Sequence, residues 1–192
     1  MIRLASAVQR AFERVTALAR ARAAGCRSGV VIGHGTRFGR GVVIRASSGG
    51  SIVIGSGVEV GAGTQLIASG GLLNIEDGSF LSMLCIVAAR DKVTLGRDCM
   101  VAEMVSIRDH DHDPLSAPRD GMMLVEAVHI GPRVWIGSKS SVTRGAVVGA
   151  DSVIGTLSVV RGIVPPSHLA AGAPIRLIRD LNEVHDPRQA RE

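Results

Sequence analysis

With 192 residues and 46% hydrophobic content the chain is long enough for one domain with an ordered core, yet it holds only three Phe, one Trp and no Tyr. Its core has to be built from Val, Ile, Ala and Gly, which suits a narrow, regular interior. The formal charge of +5 is accounted for by Arg3, Arg10, Arg14, Arg20, Arg22 and Arg27 against Glu13. The remainder is balanced and offers neither aromatic platform nor basic stripe, which excludes nucleic acid as the expected partner.

Cys26, Cys85 and Cys99 are odd in number and lack C-x-x-C spacing, which argues against a disulfide framework or a zinc cluster and for a reducing, cytoplasmic setting. No apolar run reaches the roughly 18 residues that span a bilayer, and the arginines of residues 1–27 break up a signal-peptide core. The expectation is a soluble protein, attached at most to the inner face of a membrane.

In chain order, residues 1–27 come first. Leu4, Val8, Phe12, Val15 and Leu18/Ala19 recur at helical spacing between arginines, predicting an amphipathic helix that stops at Gly25. Its apolar face needs a cover, either the rest of the protein and its neighbours or an anionic membrane surface.

From Val30 a period of six sets in, as in Ile32-Gly33-His34-Gly35-Thr36-Arg37 followed by Phe38-Gly39-Arg40-Gly41-Val42-Val43. It is most regular late in the chain, where Ile130, Ile136, Val142, Val148, Ile154 and Val160 stand six apart. Val134, Ser140, Ala146, Ser152, Ser158 and Val164 follow each of them by four. Six matches neither the helical period of about 3.6 nor simple strand alternation, so it marks a supersecondary repeat. Each repeat supplies a short strand and a corner, three repeats close a triangular coil, the aliphatic residue points inward, and the adjacent glycine relieves the corner. A β-sandwich would instead show turn signals roughly every 8 to 12 residues. The predicted fold is all-β, a left-handed parallel β-helix over residues 28–178, with a short helical tail over 179–192.

Ser and Gly clusters in residues 45–53 and 66–74 read as lengthened corners. The largest break follows Ile107, because Ile130 is out of phase with it. The excursion loop over 108–127 carries the densest polar run, Asp109-His110-Asp111-His112-Asp113-Pro114. Long excursions from rigid scaffolds commonly carry chemistry.

Three stretches make the chain resemble the hexapeptide-repeat acyltransferases over roughly residues 30–180, in particular the maltose, galactoside and xenobiotic O-acetyltransferase branch and its exopolysaccharide relatives. They are the Asp109–Pro114 run, Val134-Trp135-Ile136-Gly137, and Val164-Pro165-Pro166 with Ala171-Gly172-Ala173-Pro174. The resemblance implies that His110 is the catalytic base, and imidazole suits the removal of a proton from an attacking hydroxyl. Asp109, Asp111, Asp113 or a main-chain carbonyl would orient it. His112, on the same side of a strand, is its rival.

The resemblance further implies an acyl-CoA groove along Trp135 and Gly137, with Ser138, Thr156, Arg161 and Arg179 toward the nucleotide. A subunit-interface anchor is the other reading of Trp135. Arg161-Gly162 replaces the family's usual Thr-Lys, Ala173 its Asn, and Ser82 and Leu84 its acceptor-binding asparagines, which leaves Glu103, Ser106 and Glu126 as acceptor candidates. The implied activity is a homotrimeric, acetyl-CoA-dependent O-acetyltransferase acting on a carbohydrate hydroxyl, such as a cell-envelope polysaccharide unit. No metal is expected, since His110, His112 and His129 lack the required spacing. An N-acetyltransferase of an amino sugar, a zinc-dependent hydratase and a non-catalytic scaffold are the alternatives.

Overall fold

The computed structural model describes residues 15–117 and 121–183. The chain winds as a left-handed parallel β-helix of about six turns. The first face stacks Val30–Ile32, Ser51–Ile54, Leu72–Ile75, Lys92–Leu95, Val128–Ile130, Val147–Val148 and Ile163–Val164. The second stacks Arg37–Phe38, Glu59–Val60, Phe80–Leu81, Met100–Val101, Trp135–Ile136, Val153–Ile154 and His168–Ala171. The third stacks Val43–Ser47, Gln65–Ser69, Ile86–Ala89, Ser106–Arg108, Ser141–Val142 and Val159–Val160. First, second and third corners follow the faces of the same number.

The six-residue series Ile130 to Val160 is buried throughout, as are the small residues four places later. Those small positions do more than fit. Thr36 Oγ1 donates to Gly55 O at 2.7 Å and accepts from Val58 N at 3.2 Å, and Ser140 Oγ bridges Gly155 O and Ser158 N in the same way. Each hydroxyl satisfies main-chain groups of the next coil that would otherwise be buried and unpaired. Cys85 and Cys99 take the same slot, with their thiols donating to Ala102 O and Gly131 O at 3.1 Å. Burial pushes both thiols above their ordinary pKa, that of Cys99 to about 11.

Corner glycines answer to the spacing of the coils. A Cβ on Gly137 would lie 2.6 Å from Thr156 N of the next coil, which no side chain tolerates. Two places on, the chain takes up a left-handed conformation. Glycine supplies it in the early coils, but Leu84, Met104, Lys139 and Leu157 adopt φ of 57° to 59° later on. Each of these carries a conformational cost of about 1–2 kcal/mol, which pairing with the neighbouring coils offsets.

The Ser- and Gly-rich segments differ from the lengthened corners expected of them. Their extra residues continue the strands, pairing Val43 to Ser47 with Gln65 to Ser69, and Ser51 to Ile54 with Leu72 to Ile75. Ile86–Ala89 and Lys92–Leu95 form a third such lengthening. Pairing with the neighbouring coils satisfies the added main chain, so strand wins over loop.

At the N-terminal end a helix over residues 15–25 lies on the first coil. Leu4, Val8 and Phe12 lie outside the described residues. Within the helix the packed face differs from the expected one: Ala21 and Ala24 join the core, whereas Val15 is 64% exposed and Ala19 also faces out. Arg20 Nε donating to Phe38 O at 2.9 Å and Arg27 Nη1 donating to Ile44 O at 2.7 Å set this orientation.

At the other end the expected helical tail is corrected over its first residues. Arg176–Asp180 is a strand, folded back antiparallel on His168–Ala171, where it satisfies the edge of the last coil of the second face. Residues 184–192 lie outside the described residues. Among those described, no helix is long and apolar enough to cross a membrane.

Two measurements check this packing. Ile136→Ala, which empties a fully buried position, is expected to cost about 2–5 kcal/mol in denaturant unfolding. Cys26 is exposed, whereas Cys85 and Cys99 are buried and protonated at pH 8, so only Cys26 is expected to react with a thiol reagent in the native protein. The raised Cys99 value also means that its share of stability is full below about pH 9 and is lost as pH rises toward 11.

Candidate active site

The excursion leaves the prism at the third corner. Ile107 points inward, Arg108 outward, and Asp109 inward again, completely buried beside the preceding coil. That coil turns at Arg90-Asp91 and aims two main-chain N–H groups at the carboxylate. Arg90 N lies 2.9 and 3.0 Å from the two oxygens, and Asp91 N lies 2.8 Å from Oδ2. The burial of a carboxylate is offset by these charge-assisted bonds.

The next residue, His110, opens the strand His110–His112, which pairs antiparallel with Met123–Val125 and sets His110 opposite Val125. Its ring is 11% exposed, and Nδ1 lies 2.7 Å from Asp109 Oδ1. Because that carboxylate already accepts two N–H groups, Nδ1 is the nitrogen that carries the proton and donates. Nε2 is thereby left with its lone pair. Among the three aspartates that sequence left open, Asp109 is the one hydrogen-bonded to the ring.

The other polar residues of the loop take separate places. Asp113 caps the following turn, its Oδ1 accepting from Leu115 N at 2.9 Å and its carbonyl from Ser116 Oγ at 3.0 Å. His112 is exposed, further along the hairpin. Glu126 fastens the base of the excursion: its N–H donates to Asp109 O at 2.8 Å and its carbonyl accepts from Gly145 N at 3.0 Å. Its carboxylate lies across Gly145, where any Cβ would collide with it, and 3.7 Å from Arg144 Nη1. Arg144 Nε is 3.3 Å from Asp111 Oδ2 without a hydrogen bond of good geometry. Sequence reasoning missed Arg144, whose nearness to the loop follows only from counting one coil onward, and the N–H pair of residues 90 and 91, which leaves no mark in side-chain identity.

The remaining predicted residues divide between two edges. Trp135 is 51% exposed on the second face, in register between Met100 and Val153. Gly137, Ser138 and Thr156 occupy the second corner above it, as do Ser82, Leu84 and Glu103 on earlier coils. Ser106 begins the third-face strand that leads to the loop, where its Oγ accepts from Arg108 Nε at 3.3 Å. Arg161 is exposed at the third corner, two coils beyond His110, and Arg179 lies opposite Leu169 on the returning strand. In a triangular prism the third corner is opposite the second face, so one chain does not bring His110 and Trp135 together. His129 lies on the first face, between Thr94 and Val147, and among the described residues no three His, Cys, Asp or Glu gather as a metal site.

No protein-family model matches the chain. A lipopolysaccharide-biosynthesis O-acetyl transferase of Escherichia coli, so described provisionally, is 37% identical over 122 residues, 58% of this chain and 62% of that protein. The galactoside O-acetyltransferase of E. coli is 37% identical over 92 residues, 47% of this chain and 45% of that protein. The chain thus spans about half the length of these relatives. Among solved structures, an N-acyltransferase from Bacillus cereus, AntD, in complex with coenzyme A and dTDP-4-amino-4,6-dideoxyglucose, superposes with a TM-score of 0.68 at 16% identity, covering 78% of this chain and 82% of that one. The chain is a left-handed β-helix of hexapeptide repeats, similar in sequence to O-acetyltransferases and in fold to an acyltransferase that binds coenzyme A.

Proposed function

We propose that the protein transfers an acetyl group from acetyl-CoA to a hydroxyl of a carbohydrate, such as a unit of a cell-envelope polysaccharide, with His110 as general base. The observation that carries this reading is the Asp109–His110 pair, which leaves Nε2 of the largely buried ring as an acceptor at the mouth of the excursion. Nε2 takes the proton of the acceptor hydroxyl as its oxygen attacks the thioester carbonyl. The tetrahedral intermediate then collapses with cleavage of the carbon–sulfur bond. The proton passes from Nε2 to the departing sulfur, leaving an acetyl ester and free CoA. Asp109 holds the ring in register and steadies the imidazolium that forms between the two proton transfers.

The separation of His110 from Trp135 in one chain supports a homotrimer, in which the third corner of one subunit and the second face of the next make the walls of the CoA groove. Phe80, Met100 and Trp135 form an exposed apolar column in register on that second face, as such a wall requires. Trp135 then packs on the pantetheine arm, Ser138 and Thr156 offer polar groups along it, and Arg161 and Arg179 face the phosphates. Gly137 keeps the wall flat. Likeness to the two E. coli O-acetyltransferases supports a sugar hydroxyl as acceptor. The fold of AntD, an N-acyltransferase, favours a second reading, transfer to the amine of an amino sugar. Mild alkali separates the two, since it cleaves an acetyl ester and spares an amide. The cytoplasm, at the inner face of the membrane, is the proposed location.

Purified protein is expected to release free thiol from acetyl-CoA in the presence of a carbohydrate acceptor, and His110→Ala to lower turnover about 100-fold or more. Unchanged turnover in that variant would remove the assignment. Asp109→Asn places an amide N–H or a single oxygen where the carboxylate held Nδ1. It is expected to lower kcat on the order of 100-fold while leaving KM for acetyl-CoA close to that of the wild type.

A further inference from the structure

The charge of this chain is segregated further than its first 27 residues indicate. From Arg14 to Val58 there are seven arginines and neither Asp nor Glu. The fold collects those from Arg20 onward at one end of the prism, in the helix over 15–25, the turn after it and the first coil. Arg37 is ion-paired with Glu59 of the second coil. Arg20 and Arg27 each use one nitrogen on a main-chain carbonyl, and a guanidinium has five N–H donors to give.

Arg20 and Arg27 both line a cavity of about 220 Å³ between helix and first coil, whose other walls include Ala24, Phe38, Gly39 and Gly41. Among the described residues, no acidic side chain lines it. Arg40 is exposed between the two glycines, and Arg45 is exposed beside the lining Ile44. The helix and the first coil also expose aliphatic groups, namely Val15, Val31 and Val43. Mixed arginine and aliphatic surface suits a lipid interface, where the guanidinium meets phosphate and the methyl groups meet the acyl boundary. Single-stranded nucleic acid would call for stacking aromatics, and the exposed aromatics among the described residues, Phe80 and Trp135, belong to later coils.

We infer that this end of the prism docks on an anionic membrane surface, with the cavity between Arg20 and Arg27 receiving the phosphate of a lipid headgroup. The docking is independent of the transfer chemistry at His110, because the excursion leaves the prism several coils away, at the third corner. Coils stack along the prism axis, so end-on docking leaves the sides of the prism open to other partners.

The test is co-sedimentation of the full chain with vesicles of phosphatidylcholine alone and of phosphatidylcholine containing about 30% phosphatidylglycerol, at about 0.1 M salt. Partition onto the anionic vesicles only is the expected result. Arg20→Gln/Arg27→Gln is expected to lower it about 30-fold, each near-surface arginine contributing about fivefold. Since that pair also holds carbonyls of the first coil, Arg40→Gln/Arg45→Gln provides a second variant, expected to lose a similar factor without disturbing a bond described in the structure. Arg97→Gln/Arg176→Gln, which removes equal charge from later coils, is expected to bind as the wild type does. Equal partition onto neutral and anionic vesicles, or unchanged partition of both N-terminal arginine pairs, overturns the inference. So does stabilisation by inorganic phosphate, or binding of single-stranded RNA, in the absence of any partition onto vesicles.

Discussion

Successive coils of the prism come so close at the corners that the main chain of one touches the main chain of the next, as the place of Gly137 against Thr156 N illustrates. Most of what is unusual in the composition follows from that approach. Glycine follows the inward aliphatic residue at many corners, the turn passes through a left-handed conformation, and the slot after it is filled by alanine, valine, a small hydroxyl or a thiol. A column of that width has no room for a substrate. Polar chemistry therefore has to leave the prism, and among the described residues there is one long departure from the repeat, after Ile107.

The site exploits the same contact that shapes the corners. In an ordinary coil the third-face strand ends and the chain turns directly into the first face. At Asp109 the inward position is filled by a carboxylate rather than an alanine such as Ala89, and the N–H groups of the coil below become its anion cradle. The ring of His110 is thus referenced to the rigid stack, although it sits at the start of a flexible-looking polar run. Glu126 closes the other end of the excursion onto Asp109 and Gly145, so both ends of the loop are tied to the same layer.

How much of this was legible in the sequence depends on how local each cause is. The period of six from Ile130 to Val160 exposed the fold, and the break after Ile107 exposed the loop, because both are written in residue order. Which aspartate meets His110 stayed open, although strand alternation from Ile107 would have turned Asp109 inward and separated it from Asp111 and Asp113. The partners of Asp109 are main-chain groups nearly twenty residues earlier, so composition carries no trace of them. The helix over 15–25 buries Ala21 and Ala24 instead of the larger Val15, since two arginines that reach carbonyls of the first coil outweigh a gain in apolar area. Arg176–Asp180 became a strand because an open edge needed pairing, a demand that arises only when the last coil exists.

That returning strand has a meaning beyond its own hydrogen bonds. A stack of identical layers contains no instruction to stop, and any bare final layer is a template on which another chain could add one more. By running against the direction of every other strand of its face, Arg176–Asp180 presents the wrong polarity for a further parallel layer, much as a chain terminator ends a polymer. The second face of the prism is in this sense closed to further growth by a strand that its own repeat does not specify.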